Sequence, residues 1–281
     1  MDVKIINLEN YELSGGGRLG ASFFHKSDPN VLLKLYASEL EQTVVKEYDQ
    51  ACKVFASGIP SPEPGELVRA TDGRLGIVFK RIVGKKSYAR ALSEHPERLE
   101  EYAASFAQVC KQLHSTKPAP GLFPTAKEKY AQEIGLNPFL TEEEKAGLFR
   151  YIEQLPDADT AVHGDLHHGN VIFTDNGQQY FIDLSDFCTG SPLFDLGIIL
   201  LQTCMVPEEI ELELYHIDSA TSRAFWRAFV AAYFGPETSV EEVEALVRPY
   251  AFLRILVVEH LTGRPIKHIR PAVHAMIGMK Q

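Results

Sequence analysis

The sequence is poor in cysteine, with four in 281 residues. Cys52, Cys110, Cys188 and Cys204 stand far apart and form no C-x-x-C pair. That spacing excludes a disulfide framework, leaves a structural zinc site without its usual ligands, and reads as the reduced thiols of a cytoplasmic protein. Long apolar runs are also missing. The longest, Leu196 to Val206, is interrupted by Gln202 and is too short to cross a bilayer, so no membrane partner is expected. Met1 to Asn10 carry Asp2, Lys4 and Glu9 without a continuous apolar core, and no signal peptide is expected. Neither an internal repeat nor a low-complexity tract is present, and no feature specifies an oligomeric state.

What is present fits a folded globular protein: 45% hydrophobic and 23% charged residues, in a chain long enough for one large domain or two lobes. The net charge of -10 is unevenly spread. Residues 1–85 hold 11 basic and 11 acidic side chains, so the whole excess lies after Lys85. An acidic second half disfavours nucleic acid, which needs clustered cations to replace its counterions. It favours a cationic small-molecule partner through long-range attraction. Solvated helix faces are the plainer account of Glu142-Glu143-Glu144 and Glu241-Glu242.

Up to about Gly84 the texture is strand-like. Ala21–Lys26 and Val31–Tyr36 flank the turn formers Ser27-Asp28-Pro29-Asn30, and Leu67–Arg69 and Leu75–Ile82 flank Thr71-Asp72-Gly73-Arg74, which predicts two hairpins. One helix interrupts them, with Leu40, Val44, Tyr48, Ala51 and Phe55 on one face and a capping-box pair at Ser38 and Glu41. After Gly84 helices dominate: Pro96–His114, Thr141–Leu155, Pro192–Cys204, Ser219–Phe234 and Val240–His260, with short strands at Ala161–Val162, Val171–Thr174 and Tyr180–Leu184. The plan is α+β and bilobal, with a β-rich lobe over 1–83, a mainly helical lobe over 84–281 and a hinge near Lys80–Lys86.

The strongest chemical signal is His163-Gly164-Asp165-Leu166-His167-His168-Gly169-Asn170, set between two short strands, with Asp183 following the apolar Tyr180-Phe181-Ile182. The protein-kinase catalytic loop is H-R-D-L-x-x-x-N, and Asp165 and Asn170 keep the separation of its Asp and Asn. Phosphoryl transfer asks little covalent work of the protein. It needs a positioned hydroxyl, a carboxylate to receive its proton, and oxygen ligands for the magnesium that accompanies the triphosphate.

With Ile182-Asp183-Leu184-Ser185-Asp186 and Pro192-Leu193-Phe194-Asp195-Leu196-Gly197, this loop resembles the aminoglycoside phosphotransferase/choline kinase-like family, within the protein-kinase-like superfamily. The likeness spans most of the chain, though its specific motifs lie within Val162–Gly197. It implies an ATP- and Mg2+-dependent transfer to a hydroxyl of a small molecule, with Asp165 as catalytic base and Asn170 and Asp183 as metal ligands. It further implies that Asp195 braces the catalytic loop from the following helix. Asp186 matches the family's second aspartate, and His163 opens the motif as a supporting residue. Gly164 stands where protein kinases carry the Arg that meets a phosphorylated loop, Asp183-Leu184-Ser185 replaces D-F-G, and no A-P-E segment follows. These departures favour a small-molecule kinase over a phosphorylation-switched protein kinase.

The first lobe adds weaker signals. Gly15, Gly17 and Gly20 satisfy G-x-G-x-x-G, and because Ala21–Phe24 continues as strand, a loop arching over nucleotide phosphates fits better than a dinucleotide-binding turn. Lys34 lies within the apolar Val31–Leu35, where an unpaired ammonium would be costly to bury. It fits the phosphate-binding lysine, with Glu47 as its helix partner and Glu41 as the competitor. By resemblance and position, the segment from Phe79 through Ile82 to Val83 supplies backbone groups to the adenine ring. His114, Trp226, Phe225, Phe229 and Tyr233 read as packing residues. The competing class is a non-catalytic nucleotide-binding regulatory module of the same fold.

Overall fold

The computed structural model describes residues 3–17 and 20–279. In chain order it contains β1 (Lys4–Ile6), β2 (Tyr11–Gly17), β3 (Gly20–His25), β4 (Val31–Tyr36), α1 (Glu41–Ala56), β5 (Pro64–Ala70), β6 (Leu75–Lys80), β7 (Lys85–Ser87), α2 (Tyr88–Glu94) and α3 (Leu99–Ser115). Next come α4 (Ala126–Leu136), α5 (Glu142–Gln154), β8 (Thr160–Val162), β9 (Val171–Thr174), β10 (Gln179–Phe181) and β11 (Cys188–Gly190). The chain finishes with α6 (Leu193–Leu200), α7 (Glu208–Tyr215), α8 (Ser219–Phe234), α9 (Val240–Thr262) and α10 (Arg270–Ile277).

Two compact units divide the chain. The first takes Met1–Lys86 and Val171–Ser185, and the second takes Ser87–Asn170 and Asp186–Gln281. The short hairpin β9–β10 therefore groups with the β-rich first unit, although it follows the helical segments in sequence. Its backbone accounts for this: Phe181 N donates to Pro60 O at 2.8 Å, and β9 joins β7 in a three-stranded sheet ordered β10-β9-β7.

In the first unit a six-stranded sheet runs β1-β5-β6-β4-β3-β2. Its two expected hairpins form, β3 with β4 and β5 with β6, each across its run of turn-forming residues. Leu33 and Leu35 pack with Val68 and Ala70, while Tyr36, Val44, Leu75 and Ile77 form the contact with α1. Gly20 is dictated by packing: a Cβ there would lie 2.1 Å from Leu35 O on the neighbouring strand. The start of α1 differs from the expected capping box. Ser38–Leu40 forms a 3-10 turn, Leu40 takes the N-cap position without a side-chain cap, and Glu41 pairs with Arg69. Arginine wins because a charged partner is within reach, whereas the tight turn carries Ser38 away from the cap.

The second unit is mainly helical. Its α3 and α8 meet through Phe106, whose ring lies 5.8 Å from Phe225 and 5.6 Å from Phe229. Helices α6 and α9 approach closely at Gly197, where a Cβ would sit 2.6 Å from the Cβ of Tyr250. Their shared core includes Phe194, Tyr250, Ala251, Leu253 and Leu256. A Thr141–Glu144 capping box opens α5. Thr125 and Glu128 form a second one that opens α4, a helix absent from the periodicity reading. All four cysteines are free, and no described helix is long and apolar enough to cross a membrane.

Candidate active site

The first unit gathers Lys34, Glu47 and Asp183. Lys34 projects from β4, and its Nζ donates to Glu47 Oε1 at 2.7 Å and to Asp183 Oδ1 at 2.8 Å. Burial works against the ammonium, but the Asp183 and Glu47 carboxylates outweigh it and hold its pKa above the ordinary lysine value. Glu47 is buried on α1 at 6% exposure. The choice between Glu47 and Glu41 is thus resolved by geometry: Glu47 takes Lys34, and Glu41 is engaged by Arg69. Asp183 has φ 57, a left-handed conformation that aspartate tolerates better than most residues but that remains uncommon. It leaves the carboxylate half exposed while β10 ends behind it. Lys85 adds a second cation, with its pKa lowered by burial, raised by Asp183 and lowered by Arg81.

The other nucleotide candidates fare differently. Gly15 and Gly17 end β2 and Gly20 begins β3, with Gly17 facing Gly20 in the ladder; the two positions between them lie outside the described residues. Phe79 is an interior residue of β6, paired with Leu32 on one side and Pro64 on the other, and its ring packs against the α1 core. Ile82 lines a cavity of about 640 Å³ together with Phe55, Ser61, Arg81 and Tyr180; Lys34, Glu47 and Asp183 are not among its walls.

The second unit holds the catalytic-loop motif. Asp195, fully buried near the start of α6, accepts from His163 N at 2.8 Å and from Gly164 N at 2.9 Å. Its Oδ2 also lies 3.1 Å from His114 Nε2, and His114 Nδ1 lies 2.8 Å from the Tyr233 hydroxyl. A buried carboxylate needs such donors to offset its lost hydration. Gly164 turns the chain with φ 80, and a Cβ there would lie 2.2 Å from Asp186 O, so only glycine fits.

Beyond that turn, Asn170 Nδ2 donates to Asp165 O at 2.9 Å and to Asp165 Oδ2 at 3.2 Å. The amide oxygen of Asn170 takes part in neither of these bonds. Asp165 Oδ1 accepts from Arg254 Nη2 at 2.8 Å. Arg254 Nη1 also donates to Asp186 Oδ2 at 3.2 Å, and Lys129 Nζ to Asp186 Oδ1 at 3.1 Å. Burial would raise the Asp186 carboxyl, but Arg254 and Lys129 hold it below the usual carboxylate range.

The three histidines do not form a metal site. His163 Nδ1 accepts from Asp165 N at 3.3 Å, and His167 Nδ1 accepts from Gly169 N at 3.0 Å. Burial pushes His168 down to about 3, so it stays neutral in the core beside Tyr215 and Phe225. Among the described residues no group of three or more His, Cys, Asp or Glu is placed to hold a metal ion.

Arg254 and Lys129 are the functional-looking residues that sequence reasoning passes over, while His114, read there as packing, also meets the buried Asp195. A signal existed for Arg254: it is a lone cation inside Phe252–Val258, the same anomaly that marks Lys34.

Comparisons with known proteins bear on the family and the fold of the chain. A model of the phosphotransferase enzyme family matches residues 12–241. The chain is 26% identical over 247 residues to a homoserine kinase of Methylobacterium nodulans, covering 83% of this chain and 73% of that one. A second homoserine kinase, from Polaromonas naphthalenivorans, is 24% identical over 243 residues, covering 79% and 72%. Among solved structures, an aminoglycoside phosphotransferase APH(4)-Ia aligns with a TM-score of 0.58 at 13% identity, over 95% of this chain and 91% of that one. A choline/ethanolamine kinase family protein from Mesorhizobium loti aligns at 0.54 and 16% identity, over 95% and 86%. At those identities the structural likeness is one of fold. The length of the family match decides the assignment: the chain belongs to the phosphotransferase enzyme family.

Proposed function

We propose that this small-molecule kinase transfers the γ-phosphoryl group of ATP to a hydroxyl, with Asp165 accepting the hydroxyl proton. The observation that carries the reading is the Lys34 ammonium held by Glu47 at 2.7 Å and Asp183 at 2.8 Å. A lysine fixed by a helix glutamate is the element that kinases use to grip the α- and β-phosphates. Lys34 binds the triphosphate and Glu47 sets its direction. Asp165 presents a carboxylate whose rotamer is fixed at both oxygens, by Arg254 and by Asn170. Asn170 and Asp183 offer an amide and a carboxylate oxygen, donors that suit magnesium delivered with a triphosphate. When bound, that cation neutralises charge on the transferring phosphoryl group.

The acceptor is a small hydroxylated molecule, and an amine-bearing one suits the acidic second half. The two homoserine kinases among the relatives put homoserine first on the test panel. The free cysteines fit a reducing cytoplasm.

ADP release would be measured with ATP, magnesium and a panel of homoserine, choline, ethanolamine, aminosugars and aminoglycosides, with product mass confirming added phosphate rather than AMP. Asp165→Ala is expected to retain nucleotide binding and lose about 10²–10⁴-fold in turnover on the accepted substrate. Unchanged turnover would remove Asp165 from the mechanism. ATP-dependent stabilisation without transfer to any acceptor would favour a regulatory module.

A further inference from the structure

We infer that Arg254 is a positioning residue for the reaction, a guanidinium fork that fixes the carboxylate of Asp165 by tying it to Asp186. The inference rests on the reading of Asp165 as the base and deepens it.

Arg254 interrupts the apolar run Phe252-Leu253-Arg254-Ile255-Leu256 on α9 and is buried at 9% exposure. Stability alone gives little reason for a cation there, since a buried ion pair roughly breaks even against well-packed apolar side chains. Geometry gives a better one. Nη2 meets Asp165 Oδ1 at 2.8 Å while Nη1 meets Asp186 Oδ2 at 3.2 Å, so one rigid plane links two carboxylates. A lysine ammonium has no such fork.

The remaining oxygens are also engaged: Asp165 Oδ2 by Asn170 at 3.2 Å and Asp186 Oδ1 by Lys129 at 3.1 Å. The cluster holds two cations, Arg254 and Lys129, and two anions, Asp165 and Asp186. Asp186 and Lys129 thus complete a neutral set in which the guanidinium orients Asp165 while its charge is shared with a second carboxylate. This gives a local task to the second aspartate of Ile182-Asp183-Leu184-Ser185-Asp186. The close α6–α9 approach at Gly197 anchors α9 close to the start of α6, which carries the Asp195 brace.

A general base must sit within a fraction of an ångström of its productive position, and misplacement of about 1 Å can cost about 10²-fold. The test uses the full chain with ATP, magnesium and the acceptor found in the panel, comparing Arg254→Lys, Arg254→Met, Arg254→Ala and Asp165→Ala. Arg254→Met is expected to lose about 10²-fold in kcat, with nucleotide affinity within about twofold of the wild type. Arg254→Lys keeps the charge and is expected to recover only part of that loss, remaining about tenfold down. Added guanidinium is expected to raise turnover of an Arg254→Ala variant, a response that a purely structural arginine would not give. Should Arg254→Met fail to fold, Arg254→Lys and the guanidinium response decide the matter. Wild-type kcat in Arg254→Lys, or no guanidinium response in a folded Arg254→Ala, overturns the inference. Combined with an inactive Asp165→Ala, that outcome leaves the base assignment standing. A fully active Asp165→Ala brings down both.

Discussion

His114 Nε2 lies 3.1 Å from Asp195 Oδ2, joining α3 to α6 across 81 positions of sequence. The same carboxylate holds the backbone of His163 and Gly164. The loop that carries Asp165 is therefore fixed by a side chain outside it, and that side chain is supported in turn by a histidine from a third element.

Asp195→Ala strips three donors of their shared buried acceptor. An unfolding free energy about 3 to 5 kcal/mol lower is expected. Urea titration followed by circular dichroism checks it; a loss under about 1 kcal/mol would show that water replaces the carboxylate easily.

Glu47→Gln removes one of the two carboxylates on Lys34 and leaves Asp183 in place. ATP affinity is expected to fall by about tenfold, the scale of one charge-assisted hydrogen bond, with little change in the melting temperature. Isothermal titration with ATP and magnesium measures this directly. Unaltered affinity would mean that Asp183 alone orients the lysine.

Gly164→Ala forces a side chain into a backbone with φ 80 and toward an oxygen 2.2 Å away. Backbone strain and overlap together are expected to cost about 2 to 4 kcal/mol and to reduce turnover by more than about tenfold. A variant with wild-type stability and rate would contradict the described packing of Asp186.

Burial raises the Glu211 carboxyl to about 7, with Ser222 and Arg223 opposing the shift. Because the folded value lies above the ordinary 4.5, the folded chain holds the extra proton over that interval. The associated stability is complete below about pH 4.5 and is lost as pH climbs through 7. Allowing for solvent screening, the wild type is expected to lose about 1 to 2 kcal/mol between about pH 5 and pH 8 relative to Glu211→Gln. Parallel pH dependences in urea unfolding would refute it.

Local pattern made much of this fold legible. Turn residues between short apolar runs marked the hairpins β3–β4 and β5–β6, and helical spacing marked Ser219–Phe234 with the bounds that α8 has. Helix α4 escapes such a reading because Lys127, Glu128, Lys129, Gln132 and Glu133 dilute its apolar stripe, although the Thr125–Glu128 cap stands in the sequence. Lys34 was conspicuous as a cation in an apolar strand, and its pairing with Glu47 needed only the helix that follows. The partners of Asp165 and Asp186 were not accessible this way. Arg254 comes from 89 positions beyond Asp165, and the pairing depends on how closely α9 packs on α6.

The carbonyl of Asp186 that crowds Gly164 also bears on how this lineage can change. Protein kinases place an arginine at the corresponding position, where it senses a phosphorylated segment. Here the nearest backbone oxygen would collide with the first carbon of any side chain. Acquiring such a sensor would require remodelling both the turn and the Asp186 segment together, a step that single codon changes do not reach. The turn at Gly164 is thus closed to the arginine that protein kinases carry there.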